Sequence, residues 1–343
     1  MRVNNDYGAW GKRMRRRTIL RAGAAGLLGG IAVARRARAK VTATFASVNT
    51  PAYINPRMQM RFIDEVRQRS NGDIDINWVG SGQLGGLKEN LEAIIAGNLE
   101  FCGVANANLG PLYAGAQLFD LPFVFRTTDH MVQVTRGPIG QEIWDGVEKK
   151  TGIKLIMTGL PDGARSIWNS KRPVHTPEDV KGLKIRVIEA PMMIDTFVAL
   201  GAIPAPMAST EVYMAARQGV IDGAEWSPLG MIEQKSYEEA KYYTLTEHLN
   251  SPGSVAMSAA WFKGLSPEQQ QIILTAADHA RSWFDENFAK EEDAALVEVK
   301  QKGMEVIEHP DKQPFIDAVK PVYEKYAGQV GGVNKIKAVQ AVQ

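Results

Sequence analysis

From Lys40 onward, apolar residues recur with a period near two in some stretches and near 3.6 in others, and the alternation divides the chain into strands and helices. Val41 to Val48 reads as a strand. Pro56 to Arg69 reads as a helix with Phe62, Ile63 and Val66 turned inward, ended by Ser70-Asn71-Gly72. Asp73 to Val79 places Ile74, Ile76 and Trp78 on one face, Lys88 to Ala96 is a helix closed by Gly97, and Leu99 to Ala105 is another strand. Strand, helix, strand, helix, strand in that order predicts a parallel α/β layer. Farther on, Pro138 to Thr151 is a helix and Ile153 to Met157 a strand, and Gly159-Leu160-Pro161-Asp162-Gly163 suits a hinge. Ser266-Pro267-Glu268-Gln269 is a capping box with proline at the first helical position. No glycine or proline follows until Gly303, so the helix should run for about 35 residues, about 50 Å. Ile272, Ile273, Ala276, Ala277, Ala280, Trp283, Phe284 and Phe288 form a broad stripe on it rather than a coiled-coil seam.

The pattern partly repeats. Ser47-Val48-Asn49-Thr50-Pro51 ends a strand, and Ala96-Gly97-Asn98-Leu99-Glu100-Phe101 joins a helix to a strand. Val187-Ile188-Glu189-Ala190-Pro191 and Gln218-Gly219-Val220-Ile221-Asp222-Gly223 do the same jobs in the same order. Two similar α/β lobes facing each other is one reading, and coincidence of common elements the other. Ligands of open α/β sheets bind beyond the carboxyl ends of the strands, which points to Asn49, Ala105-Asn106, Glu189 and Glu225-Trp226.

Two apolar runs each carry one arginine: Arg165 in Asp162-Gly163-Ala164-Arg165-Ser166-Ile167-Trp168, and Arg186 in Gly182-Leu183-Lys184-Ile185-Arg186-Val187-Ile188. Alternation puts Ile185 and Val187 on one face of a strand and Lys184, Arg186 and Ile188 on the other, holding Arg186 near a sheet end. A guanidinium there needs an anion, and its planar fork meets a carboxylate with two parallel hydrogen bonds. A structural salt bridge to a nearby Asp or Glu would meet the same need, so the residues alone leave both readings open.

Catalytic chemistry is hard to find. His130, His175, His248, His279 and His309 are scattered with no i, i+4 pair for a metal, Cys102 lies in an apolar strand, and no Gly-x-Ser-x-Gly elbow occurs. Gly80-Ser81-Gly82-Gln83-Leu84-Gly85 has the spacing of a dinucleotide fingerprint, but it follows the second strand and reads as a tight turn. No cofactor and no metal are expected.

Composition, 45% hydrophobic and 23% charged, suits one large or two medium globular domains. The first 39 residues stand apart. Arg15-Arg16-Arg17-Thr18-Ile19-Leu20-Arg21, a short Gly- and Ala-rich run from Ala22 to Ala34, and Ala37-Arg38-Ala39 have the layout of an export signal, and the arginine pair is that of the twin-arginine type. An ordinary secretory signal is the alternative. This leader takes ten of the 40 basic residues and one of the 38 acidic ones, so the remainder carries 30 basic and 37 acidic residues, net −7. An acidic balance disfavours a nucleic-acid partner, and an anionic ligand would need locally placed arginines. With Cys102 as the single cysteine, neither an internal disulfide nor a lipid attachment is expected.

Taken in order, Ser70-Asn71-Gly72, Gln83-Leu84-Gly85-Gly86, Asp120-Leu121-Pro122-Phe123-Val124-Phe125, Thr176-Pro177-Glu178-Asp179-Val180-Lys181-Gly182, the Lys184-Ile185-Arg186-Val187 strand and Asp222-Gly223-Ala224-Glu225 resemble the DctP family of extracytoplasmic solute-binding proteins. These are the ligand-capturing components of tripartite ATP-independent periplasmic (TRAP) transporters, and the resemblance covers nearly the whole mature chain. It implies an α/β, two-lobed periplasmic-binding-protein-like fold, each lobe a mixed, mostly parallel sheet flanked by helices, with the long helix crossing both lobes. Residues 1–39 would be the signal, 40–162 plus about 251–290 lobe I, and 163–250 plus about 291–343 lobe II. The resemblance assigns Arg186 to the two-pronged bridge with a ligand carboxylate and Arg165 to a second pocket position. The family often has Asn after the Asp-Gly-x-Glu run where this chain has Trp226, which would supply a flat wall for a ring-bearing acid or simply fill a core. Glu225 would pin the arginines or accept from a ligand hydroxyl. Asn49, Asn106, Tyr213 and Tyr53 complete the expected ligand-binding set.

The implied function is capture of a small organic acid between the lobes in the periplasm. Delivery would be to the small and large integral membrane subunits of the transporter, by a monomer with no stable membrane anchor. The alternative is a periplasmic lyase or isomerase acting on the same acids, with Glu225 as base and the arginines as anion clamp.

Overall fold

The structure, a computed structural model, describes residues 40–343, and the signal-peptide reading of residues 1–39, including Arg16 and Arg17, lies outside the described residues. The described strands are β1 (Val41–Ala46), β2 (Ile74–Val79), β3 (Phe101–Ala105), β4 (Ile153–Pro161), β5 (Arg165–Asn169), β6 (Lys184–Val187), β7 (Ile203–Pro206), β8 (Gly223–Trp226), β9 (Tyr242–Leu249), β10 (Pro252–Ser258) and β11 (Glu305–Ile307). They form two mixed sheets flanked by helices, in the orders β2-β1-β3-β10-β4 and β11-β9-β5-β8-β6-β7.

Read from β7, the second sheet repeats the first. Parallel strands stand in the order β2-β1-β3 in one and β7-β6-β8 in the other, and an antiparallel strand, β10 or β5, follows the third. The repeated sequence motifs fall at matching places. Asn49 follows β1 as Glu189 follows β6, and Gly97 leads toward β3 as Gly219 leads toward β8. Both glycines adopt the left-handed conformation, at φ +77° and +70°, which lets a helix end and the next strand begin within a few residues.

The stretch expected to hinge at Gly159–Gly163 is mostly strand. β4 continues to Pro161 because Met157 and Gly159 take positive φ in a bulge, after which Leu160 pairs with Gly253. Only residues 162–164 separate β4 from β5, and the return from β9 to β10 is Asn250-Ser251.

Helix Pro267–Gln301 is 35 residues long and opens with the expected capping box, the Gln269 N–H donating to Ser266 Oγ at 3.3 Å and the Ser266 N–H to Gln269 Oε1 at 3.1 Å. From Ile273 to Phe288 it buries Ile273, Phe284 and Phe288 against Phe45, Phe62 and Phe101 of the first sheet's core. Its last turns place Val299 with Trp168, Ile221 and Tyr243 in the core of the second. The closing segment also touches both sides, since Lys325 and Tyr326 bond Asp195 while Arg126 donates to the carbonyls of Gln340 and Val342. None of the described helices is long and apolar enough to cross a membrane.

Candidate functional site

The carboxyl ends of the parallel strands of both sheets converge on one pocket. Asn49 after β1 and Asn108 after β3 line it from the first sheet, and Glu189 after β6 and Trp226 at the end of β8 from the second. Beside Leu87 and Ala208, which line it, the Gly80–Gly86 turn approaches the segment after β7. A Cβ at Gly86 would stand 3.6 Å from that of Ala208, and one at Gly82, where φ is +67°, would stand 3.1 Å from Thr210 Cγ2. The glycines of the fingerprint-like motif thus serve a tight turn and a close approach between chain segments, as the turn reading expects.

Arg186 reaches the pocket from β6, which is interior to its sheet, so Ile185, Arg186 and Val187 are all buried and Arg186 is only 2% exposed. Its Nε and Nη2 both donate to the Met207 carbonyl, at 3.0 and 2.8 Å, which fixes the plane of the fork. Nη1 is buried with no partner. Burial chiefly, with Arg165 adding repulsion against the pull of Glu225, Glu189 and Glu211, lowers the Arg186 guanidinium to about 10, and it remains charged at neutral pH. The site therefore holds a positive charge with a free, preorganised N–H, which is a receptor for an anion.

Arg165 is differently placed. Its Nε and Nη2 embrace the Glu225 carboxylate, the second contact at 2.6 Å, Nη2 also meets the Glu225 carbonyl at 2.8 Å, and Nη1 reaches Asp162 Oδ2 at 3.1 Å. Burial opposes its charge, but Glu225 and then Asp162 outweigh it and hold Arg165 above its ordinary value. Trp226 lies against both guanidinium groups, whose Cζ atoms are 4.7 Å (Arg165) and 5.1 Å (Arg186) from its ring centroid. Behind Glu225 stands His248, whose Nδ1 is 2.8 Å from Thr246 Oγ1 and whose pKa burial lowers to about 4, so it stays neutral.

The structure brings Arg186, Arg165, Trp226 and Asn49 together in the pocket wall. Glu225 lies beneath it, fully buried, with both carboxylate oxygens engaged by Arg165, and so does not face the pocket as the base of an enzyme would have to. Asn106 is behind the wall, donating to the Ala116 carbonyl and Asp120 Oδ2, and Asn108 two residues on takes the pocket position. Tyr213 is away from the pocket lining, bonded to Glu238 at 2.5 Å, and Tyr53 is close by but not in the wall.

Sequence reasoning missed Gln59, Asn108 and Glu233, which all line the pocket. Gln59 had a signal: it sits three, four and seven residues before Phe62, Ile63 and Val66, a polar side chain on the inward helix face. It is 4% exposed and accepts a 2.9 Å bond from Trp78 Nε1. Glu233 had a weaker one, an acid at the carboxyl end of a helix, where the dipole disfavours it.

Residues 43–329 match the family described as bacterial extracellular solute-binding protein, family 7, or DctP. The chain is 32% identical to the 2,3-diketo-L-gulonate-binding periplasmic protein YiaO of Escherichia coli, over 82% of this chain and 86% of that protein. A TRAP periplasmic solute-binding protein of Pseudomonas putida, solved with bound D-glucuronate, superposes with a TM-score of 0.84 at 35% identity, covering 88% of this chain and 98% of that one. One from Sulfurospirillum deleyianum with bound succinate gives 0.84 at 27% identity, covering 89% and 100%. These relatives are solute-binding proteins, not enzymes.

Proposed function

Because the chain belongs to the DctP family of bacterial extracellular solute-binding proteins, whose TRAP members capture small organic acids for transport, we propose that Arg186 is the group that takes the ligand's carboxylate in this one. The observation that carries this is the unpartnered Nη1 of a buried guanidinium whose other donors are already fixed by Met207. Arg165 is already paired with Glu225 and Asp162, so its part is to hold Trp226 flat and to add positive field. Trp226 then offers a ring face to the ligand's carbon skeleton.

The lobes we propose are 40–162 plus about 251–290 and 163–250 plus about 291–343, consistent with sheet membership and with crossings at residues 162–164, at 250–251 and along the long helix. The protein acts as a monomer in the periplasm, closing on its acid and handing it to the small and large membrane subunits. Export follows the twin-arginine route, and a precursor with Arg16 and Arg17 both changed to Lys that still reached the periplasm would overturn that route.

A thermal-shift screen of organic acids on the mature protein tests the reading. Acids such as D-glucuronate should raise the melting temperature in a concentration-dependent way, by mass action on the folded state. Neutral analogues lacking the carboxylate should not. Equal shifts from both would contradict it.

A further inference from the structure

Glu233 is the last residue of the helix Pro228–Glu233, which leads away from β8, and it lines the same pocket. Its Oε1 is shielded from water and has no hydrogen-bond partner among the described residues. The surroundings oppose an ionised carboxylate. The helix end presents backbone carbonyls, and Asp162, Glu291 and Glu292 add negative charge. Arg57 is the cation facing it, but Arg57 Nη2 already pairs with Glu291. Tyr53, preceding the helix Ile54–Arg69, is also close to Glu233, with Tyr237 beside it. Burial first, then these acids, raises the Glu233 carboxyl well above the ordinary range, so its surroundings favour the protonated form.

A buried, unpartnered polar atom calls for an explanation, and the pocket wall has a matching one. Asn108 Oδ1, from the turn after β3, is a second pocket-wall acceptor without a partner. Arg186 Nη1 and Trp226 Nε1 are donors without partners in the same wall. Spare donors answer carboxylate oxygens; spare acceptors answer O–H groups elsewhere on the same molecule.

We propose that Glu233 is a second receptor in the pocket, accepting a hydrogen bond from a ligand hydroxyl, so that the protein selects hydroxylated carboxylic acids over bare ones. The inference rests on the reading that Arg186 holds the carboxylate. A carboxyl pushed toward its protonated form suits a hydroxyl, whereas a ligand ammonium would favour an ionised Glu233 among Asp162, Glu291 and Glu292.

The test is titration calorimetry of the mature wild type, Glu233→Gln, Glu233→Leu and Arg186→Ala with D-glucuronate, D-gluconate, succinate and glutarate. Wild type should bind at least one hydroxylated acid about tenfold more tightly than the bare diacids, the scale of one hydrogen bond. Glu233→Leu should remove that preference, weakening hydroxy-acid binding more than diacid binding. Glu233→Gln, which keeps an acceptor oxygen, should hold the preference to within about threefold. A preference retained in Glu233→Leu, or lost equally in Glu233→Gln, overturns the proposal, as does the absence of any preference or of any hydroxy-acid binding in the wild type. If instead Arg186→Ala binds like wild type, it is the carboxylate assignment that fails, so the two failures are told apart.

Discussion

A guanidinium that is 2% exposed and meets one carbonyl oxygen carries its charge at a desolvation cost that the protein does not recover internally. Arg165, two strands away in the same sheet, shows the contrast, since its charge is returned by Glu225 and Asp162. On the proposed reading, the ligand's carboxylate balances Arg186. Arg186→Ala should therefore weaken acid binding by about 2–5 kcal/mol while leaving the melting temperature of the empty protein unchanged or higher, because an uncompensated buried charge is gone. Arg186→Lys should bind almost as poorly, since an ammonium cannot reproduce the fork. Calorimetry and a thermal melt on the same preparations check both halves. Tight binding by folded Arg186→Ala protein would remove Arg186 from the site.

Among the elements, the long helix Pro267–Gln301 joins the two cores, and Glu292 marks where it meets the crossing. Its Oε2 accepts the Leu229 N–H at 3.1 Å and its Oε1 crowds the space beside Gly163, which takes φ +76°. Burial, with help from Asp162, Asp293 and Glu247 and against the Leu229 bond, pushes Glu292 up from its ordinary 4.5 to about 8. Asp120, buried under Ser251 and Asn106, is pushed up to about 7. Folding binds protons at both sites that the unfolded chain releases above pH 4.5, so their contribution is present at low pH and is lost as pH rises through 7 and 8. His248 works the other way, but only between about 4 and 6.5, leaving the window above 6.5 to the acids. The melting temperature should fall from pH 6.5 to 8.5, and Glu292→Gln, which keeps the Leu229 acceptor and cannot ionise, should flatten that fall. Parallel pH profiles for the two proteins would contradict it. The helix itself was legible in the sequence because its cap, its stripe and its lack of glycine agree. The end of β4 was not, because Gly159 serves a bulge, and a glycine that bends a strand and one that ends it look alike without the partner strand. Asn106 and Asn108 were likewise inseparable, since which one faces a pocket depends on the turn that follows β3.

For the whole molecule, the repeated sheet order brings the carboxyl ends of β1, β3, β6 and β8 to one pocket, and the Gly80–Gly86 turn comes close to Ala208 and Thr210. The repeat could be read from short motifs around Asn49 and Glu189, but the pairing of β3 with β10 and of β8 with β5 is long-range and left no local trace. A ligand that touches both sides of such a pocket favours the closed form by its difference in affinity for open and closed forms. Small-angle scattering on the mature protein, with and without a saturating acid whose binding calorimetry has established, measures this most directly. The account predicts a smaller radius of gyration with the acid in wild type and no change in Arg186→Ala; an identical curve for wild type with and without its acid would contradict capture by closure.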